Sequence, residues 1–227
     1  MFGINVSLRM PEVVTTSKKE EEFLKRDLFV KPIVPGMQFG NPGDESSAFP
    51  VYRENSNKMY LPRFYGIQRY GVPDACEIQT GDSIQVPFVQ TLRDYQEKIV
   101  DIYCKHVSKP LSSENASHGG GGILEVPCGA GKTIMALKII SILATKTLIL
   151  VHKEFLMNQW IDRIADFLPS ARVGKIQGPT FDIENKDIVI GMIQSIAKDK
   201  YDADIFRDFG LIIFDEAHHA PSKYFSN

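Results

Sequence analysis

Between Ile123 and Phe214 the chain alternates short, nearly bare apolar runs with longer segments of helical period, and few folds accept that rhythm. The runs are Ile123–Val126, Thr147–Val151, Arg172–Ile176, Asp187–Ile190 and Leu211–Phe214. Between them lie Lys132–Leu143, Glu154–Phe167 and a short helix from Ile193. A strand that is apolar at consecutive positions buries both faces, and strands separated by helices are joined by crossovers rather than hairpins. The pattern predicts an α/β domain with a mainly parallel sheet covered on both sides. Ligands of such sheets gather at the carboxyl ends of the strands, and the chemistry-bearing residues of this sequence fall at those ends.

The preceding residues follow a different grammar. Pro11, Pro32, Pro35, Pro42, Pro50, Pro62 and Pro73 punctuate residues 1–85, where no apolar period lasts. A small irregular accessory region is expected there, followed by the α/β domain over residues 86–227. Lys18–Arg26 reads as one or two charged helical turns with a solvated face. Lys58–Tyr70 interleaves Lys58, Arg63 and Arg69 with Tyr60, Phe64, Tyr65 and Tyr70. Such a stretch is either a stacking surface for nucleic-acid bases or the core of a small unit with arginines reaching outward. Leu92–Val107 carries Leu92, Tyr95, Ile99, Ile102, Tyr103 and Val107 at helical steps. The polar, glycine-ended stretch Lys109–Gly122 reads as a flexible connection.

Twenty-six basic and twenty-eight acidic residues give a net charge of −2, so no global field draws the chain to nucleic acid or anionic lipid; such binding needs local patches. No apolar run reaches the roughly 18–20 residues that span a bilayer, and no membrane partner is expected. The opening residues carry no secretory pattern, and Cys76, Cys104 and Cys128 lack metal-ligand spacing. An intracellular, reducing compartment is the expectation.

Two motifs carry the chemistry. Pro127, Cys128, Gly129, Ala130, Gly131, Lys132 and Thr133 stand between an apolar run and a helix, the context in which Gly-Lys-Thr means a phosphate loop. Glycines let successive backbone N–H groups turn inward, and the helix start adds partial positive charge. Lys132 then reaches the β- and γ-phosphates of a nucleoside triphosphate, and the Thr133 hydroxyl ligates Mg²⁺. Val126 stands where the strict eight-residue pattern begins with glycine. Asp215 and Glu216 follow Leu211–Phe214 directly. Asp215 is assigned to Mg²⁺ and Glu216 to the water that attacks the γ-phosphate. Trp160 is expected in the core.

PCGAGKT followed by DEAH resembles the first RecA-like motor domain of superfamily 2 helicases and translocases, over roughly Gln90 to Asn227. Leu92-Arg93-Asp94-Tyr95-Gln96 resembles that family's upstream element, which implies that Gln96 reads the adenine edge. His218 of DEAH is implied to couple nucleotide state to neighbouring motifs. Leu148–Lys153, followed by Gln159-Trp160, and Ile188–Ser195 resemble elements that touch the nucleic-acid backbone, which implies contacts from Lys153, Gln194 and Ser195. Met192 stands where the second of these elements usually has threonine. Within the superfamily the motifs are most similar to the xeroderma-pigmentosum-B and phage UvsW-like branch. Phe49–Val72 is similar to a segment of helicases from large DNA viruses, including the poxvirus transcript-release helicase, which implies a virus-encoded origin.

The resemblance implies ATP and Mg²⁺ as cofactors and DNA, or RNA, held through its backbone. It also implies a second RecA-like domain, in cis or trans, that supplies an arginine finger. The motifs of that domain do not occur among residues 1–227, so these residues alone are expected to bind nucleotide weakly and turn it over very slowly. Two other readings stay open: the ATPase motor of a restriction-nuclease complex, and a non-catalytic assembly piece that holds nucleotide as a ligand.

Overall fold

The computed structural model describes residues 18–30, 48–56, 58–72, 80–108, 120–197 and 201–216. The chain divides into two compact units, one spanning Ser7–Glu77 and one built on Ile78–Asn227. The division precedes the one drawn from composition. Residues 80–86 belong to the second unit because their backbone is tied into it: Ser83 bridges Thr145, Ile84 N–H donates to the Ala144 carbonyl, and Lys146 N–H donates to the Asp82 carbonyl. Ile84 and Val86 are buried in that unit's core.

In the first unit, α1 (Lys18–Asp27) is followed by β1 (Phe29–Val30), which pairs antiparallel with β2 (Phe49–Pro50). β3 (Arg53–Glu54) pairs with β4 (Met59–Tyr60), and α2 spans Arg63–Tyr70. The helix α2 was not expected; it follows Pro62, whose fixed φ suits the entry to a helix. The interleaved arginines and aromatics join α2 to α1. Arg69 Nε and the Tyr70 hydroxyl both donate to Glu20 at 2.8 Å, the Arg69 guanidinium lies 4.4 Å from the Phe23 ring centroid, and Tyr65 donates to Asp27 at 2.6 Å. These bonds, Tyr70's first, hold the Glu20 carboxyl below its ordinary pKa. These contacts tie the half-buried Tyr65 and Tyr70 and the exposed Arg69 to α1, while the buried apolar side chains described in this unit are Leu24, Leu28 and Ile67.

The second unit carries α3 (Asp94–Val107), α4 (Lys132–Leu143), β5 (Thr147–Val151), α5 (Glu154–Phe167), β6 (Val173–Gln177), β7 (Thr180–Phe181), β8 (Ile188–Met192), α6 (Ile193–Ile196) and β9 (Leu211–Phe214). The sheet runs β7-β6-β8-β5-β9, with every pair parallel except the β6–β7 hairpin. The strand period of two sends alternate residues to opposite faces. Ile149, Val151, Ile188, Ile190, Leu211 and Ile213 join the larger apolar cluster with α3, α4 and α5. Leu148, Leu150 and Val189 join the smaller one with Ile193 and Phe209. The parallel, doubly covered α/β sheet anticipated from the sequence is present.

Two details depart from expectation. Ile123–Val126 forms no ladder strand among the described residues, only a single β-bridge at Ile123; Leu124 is buried in the larger cluster while Ile123 is exposed. Apolar patterning registers burial, and an extended segment can bury a side chain while pairing at one residue alone. The hairpin strand β7 is too short for periodicity to show, although Gly178-Pro179 marks its turn. Of the Lys109–Gly122 connection, residues 109–119 lie outside the described residues. No helix among the described residues is long and apolar enough to cross a membrane.

The amino edge of the sheet is closed by a clasp. The Asp187 carboxylate, 6% exposed, accepts from Arg172 backbone N–H at 2.8 Å, Arg172 Nε at 3.0 Å and Arg172 Nη2 at 2.6 Å. The Arg172 guanidinium, more than burial opposes it, holds the Asp187 carboxyl below the usual range. A lowered folded-state pKa means that the clasp's contribution is complete above the ordinary carboxylate value and is lost as pH falls through the lowered one. Asp187→Ala is therefore expected to cost about 2 kcal/mol at neutral pH. In urea titrations the gap between wild type and variant should close as pH drops below about 4; a gap independent of pH would contradict the assignment.

Candidate active site

The loop Pro127–Gly131 turns into α4 at Gly131, with φ values of 79° at Gly129 and 86° at Gly131. Both are left-handed values that a side chain resists. A Cβ at Gly131 would also lie 2.5 Å from Gln96 Nε2, whereas one at Gly129 would meet nothing within 4 Å, so the loop has open space there. Lys132 and Thr133 are the first residues of α4 and half-buried. This helix of 12 residues spans about 18 Å, and β5 with 5 residues about 17 Å. Because α4 ends at Leu143 and β5 begins at Thr147, with Leu137, Ile140, Ile149 and Val151 in one cluster, the two run in opposite directions. The glycine loop therefore lies at the carboxyl rim of the sheet.

At that rim β9 ends at Phe214, and Asp215 N–H continues the ladder by donating to the Leu150 carbonyl at 3.0 Å. Asp215 and Glu216 are half-buried. Glu216 has φ of 57°, a conformation that costs a side-chain-bearing residue about 1–2 kcal/mol. Such strain is typically held by its surroundings at functional positions. His218 lies outside the described residues.

Gln96 is buried, and its amide is engaged at both ends. Its Oε1 accepts from Arg93 N–H at 3.0 Å and its Nε2 donates to the Ala130 carbonyl at 2.9 Å. The Tyr95 hydroxyl donates to the same carbonyl at 2.9 Å. The first turn of α3 thus pins the glycine loop at Ala130. The family resemblance pointed to Gln96 and passed over Tyr95, whose helical spacing marks it only as an apolar-face residue. Trp160 is buried as expected, 1% exposed, yet its indole Nε1–H donates to Asp215 Oδ2 at 2.8 Å. The sequence signal for that contact is generic: a buried indole N–H needs an acceptor.

The positions taken for nucleic-acid contact divide. Lys153 is exposed at the end of β5, its ammonium 5.8 Å from the Phe155 ring centroid. Gln194 Nε2 donates to the His152 carbonyl at 2.9 Å, and Ser195 Oγ accepts from Gly178 N–H at 3.0 Å. In this structure Gln194 and Ser195 brace the loops after β5 and β6.

The chemistry of the donor set suits a magnesium nucleotide. Thr133 and Asp215 would hold the cation, and the loop N–H groups and Lys132 would hold the phosphates, with open space beside Gly129 to receive them.

A glycine loop opening a helix and an acidic pair ending a parallel strand, on one rim of a sheet, define a phosphate-loop nucleotide-binding domain of the RecA-like kind. The chain belongs to the ResIII family, described as type III restriction enzyme, res subunit, whose model matches residues 90–227. It is 36% identical over 184 residues to a protein of Acanthamoeba polyphaga mimivirus named as an ATP-dependent RNA helicase, covering 80% of this chain and 34% of the relative. It is 31% identical over 171 residues to a DNA 3'-5' translocase of Sulfurisphaera tokodaii, covering 72% of this chain and 34% of the relative. The chain thus spans about a third of the length of these curated relatives. Among solved structures, phage T4 UvsW aligns with a TM-score of 0.55 at 16% identity, over 95% of this chain and 47% of that one. The fold is shared.

Proposed function

We propose that the chain is the nucleotide-binding motor part of an ATP-dependent superfamily 2 helicase or translocase, coupling ATP hydrolysis to movement on nucleic acid. The observation that carries this reading is the shared rim: the glycine loop with Lys132, and the Asp215–Glu216 pair, at the carboxyl ends of one parallel sheet. Bound Mg²⁺ would neutralise charge on the triphosphate. Lys132 holds phosphate oxygens, Thr133 and Asp215 hold the cation, and Glu216 orients and deprotonates the attacking water. Gln96, already fixed against Ala130, sits beside the loop where an adenine edge would approach. Asp215 to His218 act as a DEAH box, with His218 relaying nucleotide state.

Lys153, together with Gln194 and Ser195, contacts the backbone of DNA or RNA, which carries no sequence information. A second RecA-like lobe, in cis or trans, completes the nucleotide site with an arginine. The viral relative supports a virus-encoded protein. The family description keeps a restriction-complex motor as the second reading, with the same ATPase chemistry.

ATP hydrolysis by the full-length protein, measured with and without single-stranded DNA or RNA, tests the proposal. Turnover is expected to rise on adding the strand. Nucleotide binding with no strand-stimulated turnover would instead identify a non-catalytic assembly piece.

A further inference from the structure

Helix α5 presents Met157, Trp160 and Ile164 to the core, three- and four-residue steps on one face. Trp160 is the largest of these and the only tryptophan in the sequence. Its body needs no explanation beyond packing. Its polar edge does, because the acceptor it meets is neither a backbone carbonyl nor a neutral side chain but the carboxylate at the end of β9. A neutral donor on a charged acceptor makes a stronger and more directional bond than a neutral pair. It also leaves the second carboxylate oxygen, Oδ1, for another partner.

We propose that Trp160 is a positioning residue for the divalent-cation site: its indole N–H holds Asp215 Oδ2 so that Oδ1 is aimed at the cation. The inference rests on the reading of Asp215 as a magnesium ligand and adds to it a side-chain partner on α5, Trp160. Two observations support a function beyond space-filling. The bond joins α5 to the end of β9 across 55 residues of sequence, at the side chain there that is read as the cation ligand. Backbone bonding of Asp215 to Leu150 fixes the main chain alone, so the side-chain direction depends on the indole. Groups that orient metal ligands in this way typically change metal affinity about 10–100-fold when removed. The arrangement also makes the tryptophan a built-in reporter, since a cation that draws charge from the carboxylate changes the field at the indole.

The test uses the 227-residue chain and a non-hydrolysable ATP analogue. Calorimetry with and without Mg²⁺ compares wild type with Trp160→Phe, Asp215→Asn and Lys132→Ala. Trp160→Phe is expected to keep the magnesium-free affinity and to raise the half-saturating Mg²⁺ concentration about tenfold or more. Asp215→Asn should remove the magnesium dependence, and Lys132→Ala should remove analogue binding altogether. In the wild type, tryptophan emission should change as Mg²⁺ saturates the analogue complex, and the change should vanish in Asp215→Asn. This second arm decides the matter even where Trp160→Phe fails to fold. An unchanged magnesium midpoint in folded Trp160→Phe, or emission that stays flat through magnesium saturation, overturns the role of Trp160 and leaves the site reading standing. A magnesium midpoint unmoved by Asp215→Asn, or analogue binding retained by Lys132→Ala, overturns the site reading itself.

Discussion

Lys132→Ala is expected to abolish measurable nucleotide binding. The lysine is the first residue of α4, directly after the left-handed Gly131, where the helix start and the loop N–H groups already favour an anion. Removing the positive partner of a desolvated, hydrogen-bonded charge pair costs about 2–5 kcal/mol, a loss of roughly 30- to 5,000-fold in affinity. Alanine is the better helix former and Lys132 is only half-buried, so the fold should survive. The measurement is calorimetric titration with a magnesium ATP analogue, beside a thermal melt to show that the variant is folded. Wild-type affinity in a folded variant would remove the glycine loop from the mechanism.

Glu216→Gln should separate binding from turnover. The amide keeps the size of the side chain and tolerates the same left-handed backbone about as poorly as glutamate, so the local geometry is preserved. It cannot take a proton from the attacking water. Loss of a general base costs typically about 10²–10⁴ in rate, so ATP turnover of the full-length protein should fall by that factor while analogue affinity stays near wild type. A parallel fall in affinity would instead place Glu216 among the ligand-holding groups. Turnover equal to wild type would take it out of catalysis. Both variants belong in the same strand-stimulated assay, because only the combination of lost binding in one and lost turnover in the other matches the proposed division of labour.

The legibility of this chain follows the range of the forces involved. Strands Thr147–Val151 and Leu211–Phe214 are apparent in sequence because burial on both faces demands unbroken apolar runs. The helices α4 and α5 show themselves by period. The glycine loop is legible because its backbone needs residues without side chains, a requirement that only composition can meet. Ile123–Val126 shows the limit of the same logic. Its burial is readable, but ladder membership depends on a partner's register, and nothing local encodes that. In the accessory unit, nothing in the run of arginines and aromatics announces that Arg69 meets Glu20 and Phe23 of α1.

The candidate site divides along the same line. Lys132, Thr133, Asp215 and Glu216 are chemically committed by type and by position relative to a strand or helix end, so they can be named before any fold is known. The grip of Tyr95 and Gln96 on Ala130, the bracing of Gln194 on His152, and the indole bond to Asp215 join residues 34 to 55 positions apart. The amino-acid order by itself determined the parallel α/β architecture and which residues are candidates to face a phosphate, because burial and backbone freedom are properties each segment carries alone. Only the tertiary structure decided which side chains hold those residues in place. Hydrogen bonds act over about 3 Å, and which donors come that close to which acceptors is set by how helices α3 and α5 pack against the sheet.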